Sequence, residues 1–423
     1  MNVNGKFTTV KIYADTIEDG VIKQVKEISN CKAFENQTVR LMPDCHVGAS
    51  GPVGLVSTIG DYVNPQHVGV DIGCTVSMIL LDDCLNKSDY VEFEKDVKNN
   101  IPMGFNINSE IQFDKQEFLD FLTTKFNEYK TYWDVLNGLP DVVTEEWIEK
   151  TCKRLNIDIN VFYNSLMSLG GGNHFLEYGE TESGLTGFSI HCGSRNLGQK
   201  ICNYWTKKTK KNVVDIKEFK NEYLKTHENM LNFNEDVKKF INSNRIEGYL
   251  SGENLKGYLC DMCLGQLYAE WNHKCIIDKV LQILEKFYIH KLRVITSVHN
   301  FIDLKDHILR KSAIRAYKDE LMLVPFNMRD GIAVCEGLSN EDWLNSCAHG
   351  AGRKMSRSDA KNNVSMEEFE NSMLNIYSTS INENTLDESP MAYKDTNEII
   401  NRIKETCKIL FVVKPKISVK CSE

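Results

Sequence analysis

Four short segments carry candidate chemistry in this 423-residue chain, and each runs strand-forming residues into a residue of metal-binding type. They are Asp71-Ile72-Gly73-Cys74, Gly172-Asn173-His174-Phe175-Leu176-Glu177, Ile190-His191-Cys192-Gly193-Ser194-Arg195 and Ser297-Val298-His299-Asn300. Taken singly, each has an ordinary structural explanation: a helix-capping Asp71, a buried Cys74 thiol, a satisfied core histidine. Taken together they offer one carboxylate, one thiolate and three imidazoles. Imidazole and thiolate suit zinc or a late transition metal, while carboxylate with water also admits manganese. Five donors exceed the need of one tetrahedral ion. A thiolate bridging two ions would use all five, and paired ions can activate phosphoryl chemistry between them. Spacing alone leaves the metal open.

A fifth segment, Ser346-Cys347-Ala348-His349-Gly350-Ala351-Gly352-Arg353-Lys354-Met355-Ser356-Arg357, sets one histidine among small residues with three cations after it. Gly350, Ala351 and Gly352 leave room beside His349 for a backbone or a ligand. Arg353 and Arg357 stand four apart, on one side of a helix if one begins here, and suit bidentate grip of phosphate. Alone, the stretch reads equally as a glycine-broken turn with a solvated basic helix start.

The elements that must position these residues follow from periodicity. Alternation predicts strands at residues 8–13, 38–42, 76–81, 293–298, 313–317 and 321–324. Helical spacing covers 16–30, 113–132, 144–155, 258–288, 365–377 and 397–407, and residues 414–420 read as a basic tail. Length alone suggests two domains. The motif-bearing loops, however, come from the first sixth, the middle and the last quarter of the chain. One site built from all of them requires a single interwoven domain over residues 1–423, with helical segments at about 85–165 and 200–290.

Hydrophobic content of 42% and charged content of 26% fit a soluble globular protein. Residues 1–6 lack a signal peptide's apolar region, and no apolar run approaches the roughly 18 residues of a membrane span, so a cytoplasmic protein without membrane contact is expected. In that compartment the 14 scattered cysteines should be thiols, and the lone Cys260-Asp261-Met262-Cys263 pair gives little reason to invoke a metal. The net charge of −9 argues against broad non-specific nucleic-acid binding and leaves room for a local basic groove.

Seven motifs occur in order: Met42-Pro43-Asp44-Cys45-His46-Val47-Gly48, Val68-Gly69-Val70-Asp71-Ile72-Gly73-Cys74, Gly171-Gly172-Asn173-His174-Phe175, His191-Cys192-Gly193-Ser194-Arg195, His299-Asn300, residues 346–357 and Pro390-Met391-Ala392-Tyr393-Lys394-Asp395. With them the chain resembles the RtcB family of RNA-splicing ligases from about residue 40 to 421. The resemblance implies an α+β fold, with central β-sheets flanked by helices and the metal site in a cleft. It also implies a GTP- and Mn²⁺-dependent ligase that joins RNA ends bearing a 2′,3′-cyclic phosphate or 3′-phosphate to 5′-hydroxyl ends, in RNA repair or tRNA splicing. On the family's pattern Asp71, Cys74 and His174 hold one Mn²⁺, and Cys74, His191 and His299 hold the second. His349 attacks the α-phosphate of GTP to form a covalent His–GMP, and a metal-activated water opens the cyclic phosphate. Asn173, His174, Phe175, Leu176, Glu177, His299, Asn300, Pro325, Phe326, Asn327, Met328, Gly350, Ala351, Gly352 and Lys420 fall around the nucleotide, with Arg195, Arg353 and Arg357 as phosphate grips. No activating protein is identified by the sequence.

Departures concentrate in one loop. The family's Pro-Gly-Ser-Met-Gly corresponds to Pro325-Phe326-Asn327-Met328-Arg329, and its later serine to Ile332. Phe326 adds bulk, Arg329 adds charge and Ile332 removes a hydroxyl. Thr75 and Asn196 also stand where glycine is usual. The alternative this raises is a metal-dependent 2′,3′-cyclic phosphoesterase that no longer ligates.

Overall fold

Period-two alternation builds the sheets, and their register gathers the candidate donors at one end. The computed structural model describes residues 1–209, 216–226, 232–237 and 248–422. In chain order the strands are β1 (Asn2–Asn4), β2 (Thr9–Ile12), β3 (Val39–Leu41), β4 (Leu55–Thr58), β5 (Thr75–Leu81), β6 (Phe175–Glu180), β7 (Thr186–Cys192) and β8 (Lys291–Val298). There follow β9 (Phe301–Asp303), β10 (Ile308–Lys311), β11 (Ala313–Arg315), β12 (Leu321–Asn327), β13 (Gly331–Gly337), β14 (Ser346–Ala348) and β15 (Cys407–Val419). The main sheet has the order β12-β13-β15-β6-β7-β5-β8, a second has β1-β2-β3-β4-β10-β9, and β11 pairs with β14. The fold is α+β, as the resemblance implies.

The main sheet is antiparallel throughout. It curls until its edge strands meet, the Leu323 N–H of β12 donating to Ser297 Oγ of β8 at 2.8 Å. Val76, Met78, Phe175, Leu323 and Val334 pack inside the curl. The other face, with Ile79, Leu176, Tyr178, Phe188 and Ile190, packs on the helices Tyr90–Asn100 and Gly252–Glu285. Both faces of the central strands are therefore buried, which explains their near-continuous apolar runs.

Several boundaries shift from the sequence reading. The helices expected at 365–377 and 397–407 are Met366–Ser372 and Thr396–Ile403, and Cys407 already opens β15. Residues 414–419 of the expected basic tail form the second half of β15, paired with β6 in mid-sheet, and Lys420 follows directly. Its apolar residues Ile417 and Val419 alternate into the core, so the strand pattern outweighs the lysines. The helix at the basic segment is Arg357–Asn363, with Ser356 capping its N-terminus, so Arg353 lies outside it. Part of the expected helical segment at 200–290 lies outside the described residues. Among the described residues all 14 cysteines are free, and no helix is long and apolar enough to cross a membrane.

Candidate active site

Register places the donors. Thr75, the first residue of β5, lies opposite Cys192 of β7 and Val298 of β8, while Phe175 of β6 pairs with His191. Cys74, His174, His191 and His299 therefore emerge at one end of adjacent strands. Two backbone bonds tie the loops: His299 N–H donates to Cys74 O at 2.7 Å, and Gly73 N–H to Asn300 O at 2.9 Å. Asp71 enters from the turn before Cys74, against Gly193. A Cβ on Gly193 would lie 2.1 Å from Asp71 Oδ1, so this approach requires glycine.

The donor atoms converge. Cys74 Sγ lies 3.5 Å from His174 Nε2 and 3.2 Å from His191 Nε2. His174 Nε2 is 2.9 Å from Asp71 Oδ2, and His191 Nε2 is 3.2 Å from His299 Nε2. Burial holds the His191 and His299 imidazoles well below their ordinary range, leaving both in the neutral, ligating form. Burial and the Asp71 carboxylate push the Cys74 thiol well up. Burial opposes ionisation of Asp71, yet the charge and hydrogen bond of His174 hold its carboxyl at about 2. Lone pairs thus face one another with too few protons to separate them. A cation among Cys74, His174 and His191, whose donor atoms all lie within 4.8 Å of one another, would satisfy these three together and draw out the thiolate, so this donor set fits a metal centre.

His349 stands beside the cluster, its ring 5.0 Å from that of His299. Its Nδ1 is 2.7 Å from Asp44 Oδ2, and its backbone N–H donates to the same oxygen at 3.2 Å. Asp44 is fully buried. A buried carboxylate on Nδ1 selects the Nδ1–H tautomer and leaves Nε2 as a lone-pair nucleophile. Gly352 has φ +72°, and a Cβ there would lie 2.0 Å from Asp44 O. The room left by this glycine is thus filled by the chain that carries Asp44.

A cleft of about 550 Å³ opens onto His349 and His191. Asn173, Phe175, Glu177, Pro325, Phe326, Asn327, Met328, Gly350, Ala351, Gly352, Arg353, Arg357 and Lys420 all line it. Lys420 is buried, its Nζ 3.2 Å from Glu388 Oε2 and 3.4 Å from Asn173 O. Arg357 Nη1 reaches Glu388 Oε1 at 2.6 Å, Arg353 Nη1 reaches it at 3.3 Å, and Tyr393 OH donates to Oε2 at 2.7 Å. The two arginines converge on one carboxylate although only Arg357 is helical.

Of the other expected contacts, His174 and His299 sit in the donor cluster, and three lie elsewhere. Leu176 points to the opposite face of β6, into the helix-covered core, because strand neighbours alternate. The Asn300 side chain accepts from the Ser312 N–H at 2.8 Å and so braces the His299 loop. Arg195 lines none of the cleft; it donates to Ser168 Oγ at 3.0 Å and Gly104 O at 2.7 Å. In the divergent loop, Phe326 is 2% exposed and its bulk is absorbed by an apolar cluster with Met42, Ala348 and Ala351. Arg329 pairs with Asp330 and faces a separate outer groove. Asp44 and Glu388 were not singled out from sequence. Asp44 sits in the first quoted motif, where its spacing gave it no partner, and nothing local marks Glu388.

A family model described as tRNA-splicing ligase RtcB matches residues 24–421. The RNA-splicing ligase RtcB of Escherichia coli (strain K12) is 25% identical over 411 residues, covering 90% of this chain and 90% of its own. The tRNA-splicing ligase RtcB of Archaeoglobus fulgidus is 24% identical over 470 residues, covering 95% and 90%. The RNA-splicing ligase RtcB homolog 1 of Entamoeba histolytica is 24% identical over 450 residues, covering 90% and 80%.

Proposed function

Because the chain belongs to the RtcB family, we propose that it is an RNA ligase working through a covalent histidine–GMP intermediate. Its substrates are RNA ends bearing a 3′-phosphate or 2′,3′-cyclic phosphate and ends bearing a 5′-hydroxyl, met in RNA repair or tRNA splicing in the cytoplasm, within one interwoven domain. The observation that carries the reading is His349 held through Nδ1 by buried Asp44 at 2.7 Å, beside a cluster of metal-type donors. His349 Nε2 attacks the α-phosphorus of GTP; an N–P bond forms as the P–O bond to pyrophosphate breaks. A cyclic end is first opened by water, which adds to its phosphorus as the bond to the 2′-oxygen breaks and that oxygen takes a proton. An oxygen of the RNA 3′-phosphate then displaces His349 and takes the GMP. The 5′-hydroxyl attacks the activated 3′-phosphorus, its proton is lost, and GMP leaves.

Asp71, Cys74 and His174 would hold one Mn²⁺, and Cys74, His191 and His299 a second, with Cys74 bridging. Such a pair supplies neutralising charge for attacking and leaving oxygens. Arg353, Arg357 and Lys420 bind phosphate and ribose oxygens from their shared carboxylate. Buried Glu177 accepts from the N–H edge of the guanine. The phosphoesterase alternative rested on the altered loop at 325–332; there Phe326 and Ile332 pack into apolar clusters and Arg329 pairs with Asp330, leaving the cleft open, which favours the ligase.

Incubation with GTP labelled at the α-phosphate and Mn²⁺ should leave label on the wild-type protein and none on His349→Ala. Absence of label on the wild type with every nucleoside triphosphate tried would overturn the reading.

A further inference from the structure

We propose that Phe105 is a stacking platform for a base near the 3′ end of single-stranded RNA, on a groove leading into the cleft. This rests on the ligase reading above and adds how RNA is held. Phe105 is 105% exposed, more than any other large hydrophobic side chain among the described residues. It lines a groove of about 470 Å³ with Asn106, Gly171, Gly172, Lys361 and Glu388.

Two connections join this groove to the cleft. Glu388 lines both, and Gly171-Gly172 runs directly into Asn173, which lines the cleft. A methyl group on Gly172 would lie 3.3 Å from Arg357 Nη2, so the wall between them is one residue thick. Among the described residues Arg353, Arg357, Lys361 and Lys420 pair with Asp387 and Glu388 along that wall, more cations than paired carboxylates where a phosphodiester backbone would pass, with Lys361 the cation that lines the groove itself.

The loop that presents Phe105 is fixed. Leu169 N–H donates to Pro102 O at 2.8 Å, Asn106 N–H to Met103 O at 3.1 Å, and Asn108 Nδ2 to Leu166 O at 2.8 Å. Arg195, from the loop after His191, holds Gly104 O. A rigid aromatic ring standing in water has no folding role, and apart from Met103 and Cys421 the rest of its groove is lined by glycine, polar and charged residues. That setting suits the face of an unpaired base better than a protein partner, whose docking would need a contiguous apolar patch. Stacking is also tolerant of sequence, as joining varied ends requires.

The test is binding of a 5′-fluorescein single-stranded oligoribonucleotide with a 3′-phosphate, followed by anisotropy without GTP. Phe105→Ala should weaken binding about 10-fold, the scale of one base–aromatic stack, and Phe105→Trp should preserve it. Abasic sites at the last 3′ positions should erase the difference between wild type and Phe105→Ala. The Ala variant should keep the wild-type melting temperature and His349 labelling. Equal RNA affinities for wild type and Phe105→Ala overturn the proposal, as does an oligomer that dissociates in Phe105→Ala with RNA affinity unchanged. A wild type that takes no GTP label yet binds RNA through Phe105 would sink the ligase reading and leave this one standing.

Discussion

Two walls of the cleft meet the problem of buried polarity in opposite ways. The donor wall of Asp71, Cys74, His174, His191 and His299 collects lone pairs, and its one internal carboxylate pairing is His174 with Asp71 at 2.9 Å. The wall around Glu388 carries its own compensation: Lys420, Arg353, Arg357 and Tyr393 all turn onto that one carboxylate. The first is complete only when positive charge arrives from outside, and the second is complete as folded. Loss of a donor from the first should therefore register chiefly in metal binding, and loss of Glu388 from the second chiefly in stability.

Cys74→Ala gives the largest contrast. The thiol touches two imidazoles, and its removal takes the one donor shared between the two proposed ions. Bound metal, measured by plasma mass spectrometry after Mn²⁺ loading and desalting, should fall to background, and ligation with it. The metal-free protein should keep its urea stability within about 1 kcal/mol, since a small buried group is replaced by a methyl. Metal retention by this variant would break the distinction between the walls.

Glu388→Gln should do the reverse. It leaves buried Arg353 and Lys420 without their only ion-pair partner among the described residues, while Arg357 keeps Asp387, at a cost of about 3–5 kcal/mol in urea unfolding, with or without metal. Burial opposes ionisation of Glu388, but the charges of Lys420, Arg357 and Arg353 hold its carboxyl at about 2. The folded state therefore binds fewer protons than the unfolded one between that value and the ordinary 4.5. The stability this ionisation confers is present above pH 4.5 and drains away as pH falls toward 2. Glu388→Gln should lack that acid-side loss. A variant as stable as the wild type at neutral pH would show that the cations are compensated by solvent instead.

The same contrast governs what could be read from the sequence. The donor wall was legible because each ligand sits where a strand pattern breaks into a loop, and antiparallel register brings such breaks together. The Glu388 wall was legible in its cations alone: Arg353, Arg357 and Lys420 were named as phosphate or nucleotide contacts, but Glu388, which joins them only on folding, was not. Lys420 read as part of a tail, although Ile417 and Val419 already carried the alternation of a core strand. Leu176 was expected beside the nucleotide, and the alternation of β6 turns its side chain away from those of Phe175 and Glu177 into the helix-covered core. The bond between His349 and Asp44 spans 305 residues, and no local pattern encodes a contact of that range. The bulk of Phe326 looked like an obstruction because sequence gives a side chain's size and not the side of the strand that receives it.

Glu177 and Glu388 sharpen the contrast within a single neighbourhood, since both feel Lys420 and they shift in opposite directions. Glu177 has one hydrogen bond, from Ser418 Oγ at 2.9 Å, and burial outweighs this bond and the charge of Lys420, raising its carboxyl to about 7. The folded state here binds more protons than the unfolded one between the ordinary 4.5 and about 7. Stability must then fall as pH rises through that window and level off above it. Glu177→Gln, which cannot ionise, should gain on the wild type across the same window, by up to about 3 kcal/mol if the whole shift is expressed. Urea unfolding of the nucleotide-free proteins at pH 5, 6, 7 and 8 checks this, and a difference that stays constant with pH would refute it. Saturating GTP should shrink the gain, because guanine N–H donors on the Glu177 carboxylate favour the ionised form that burial penalises.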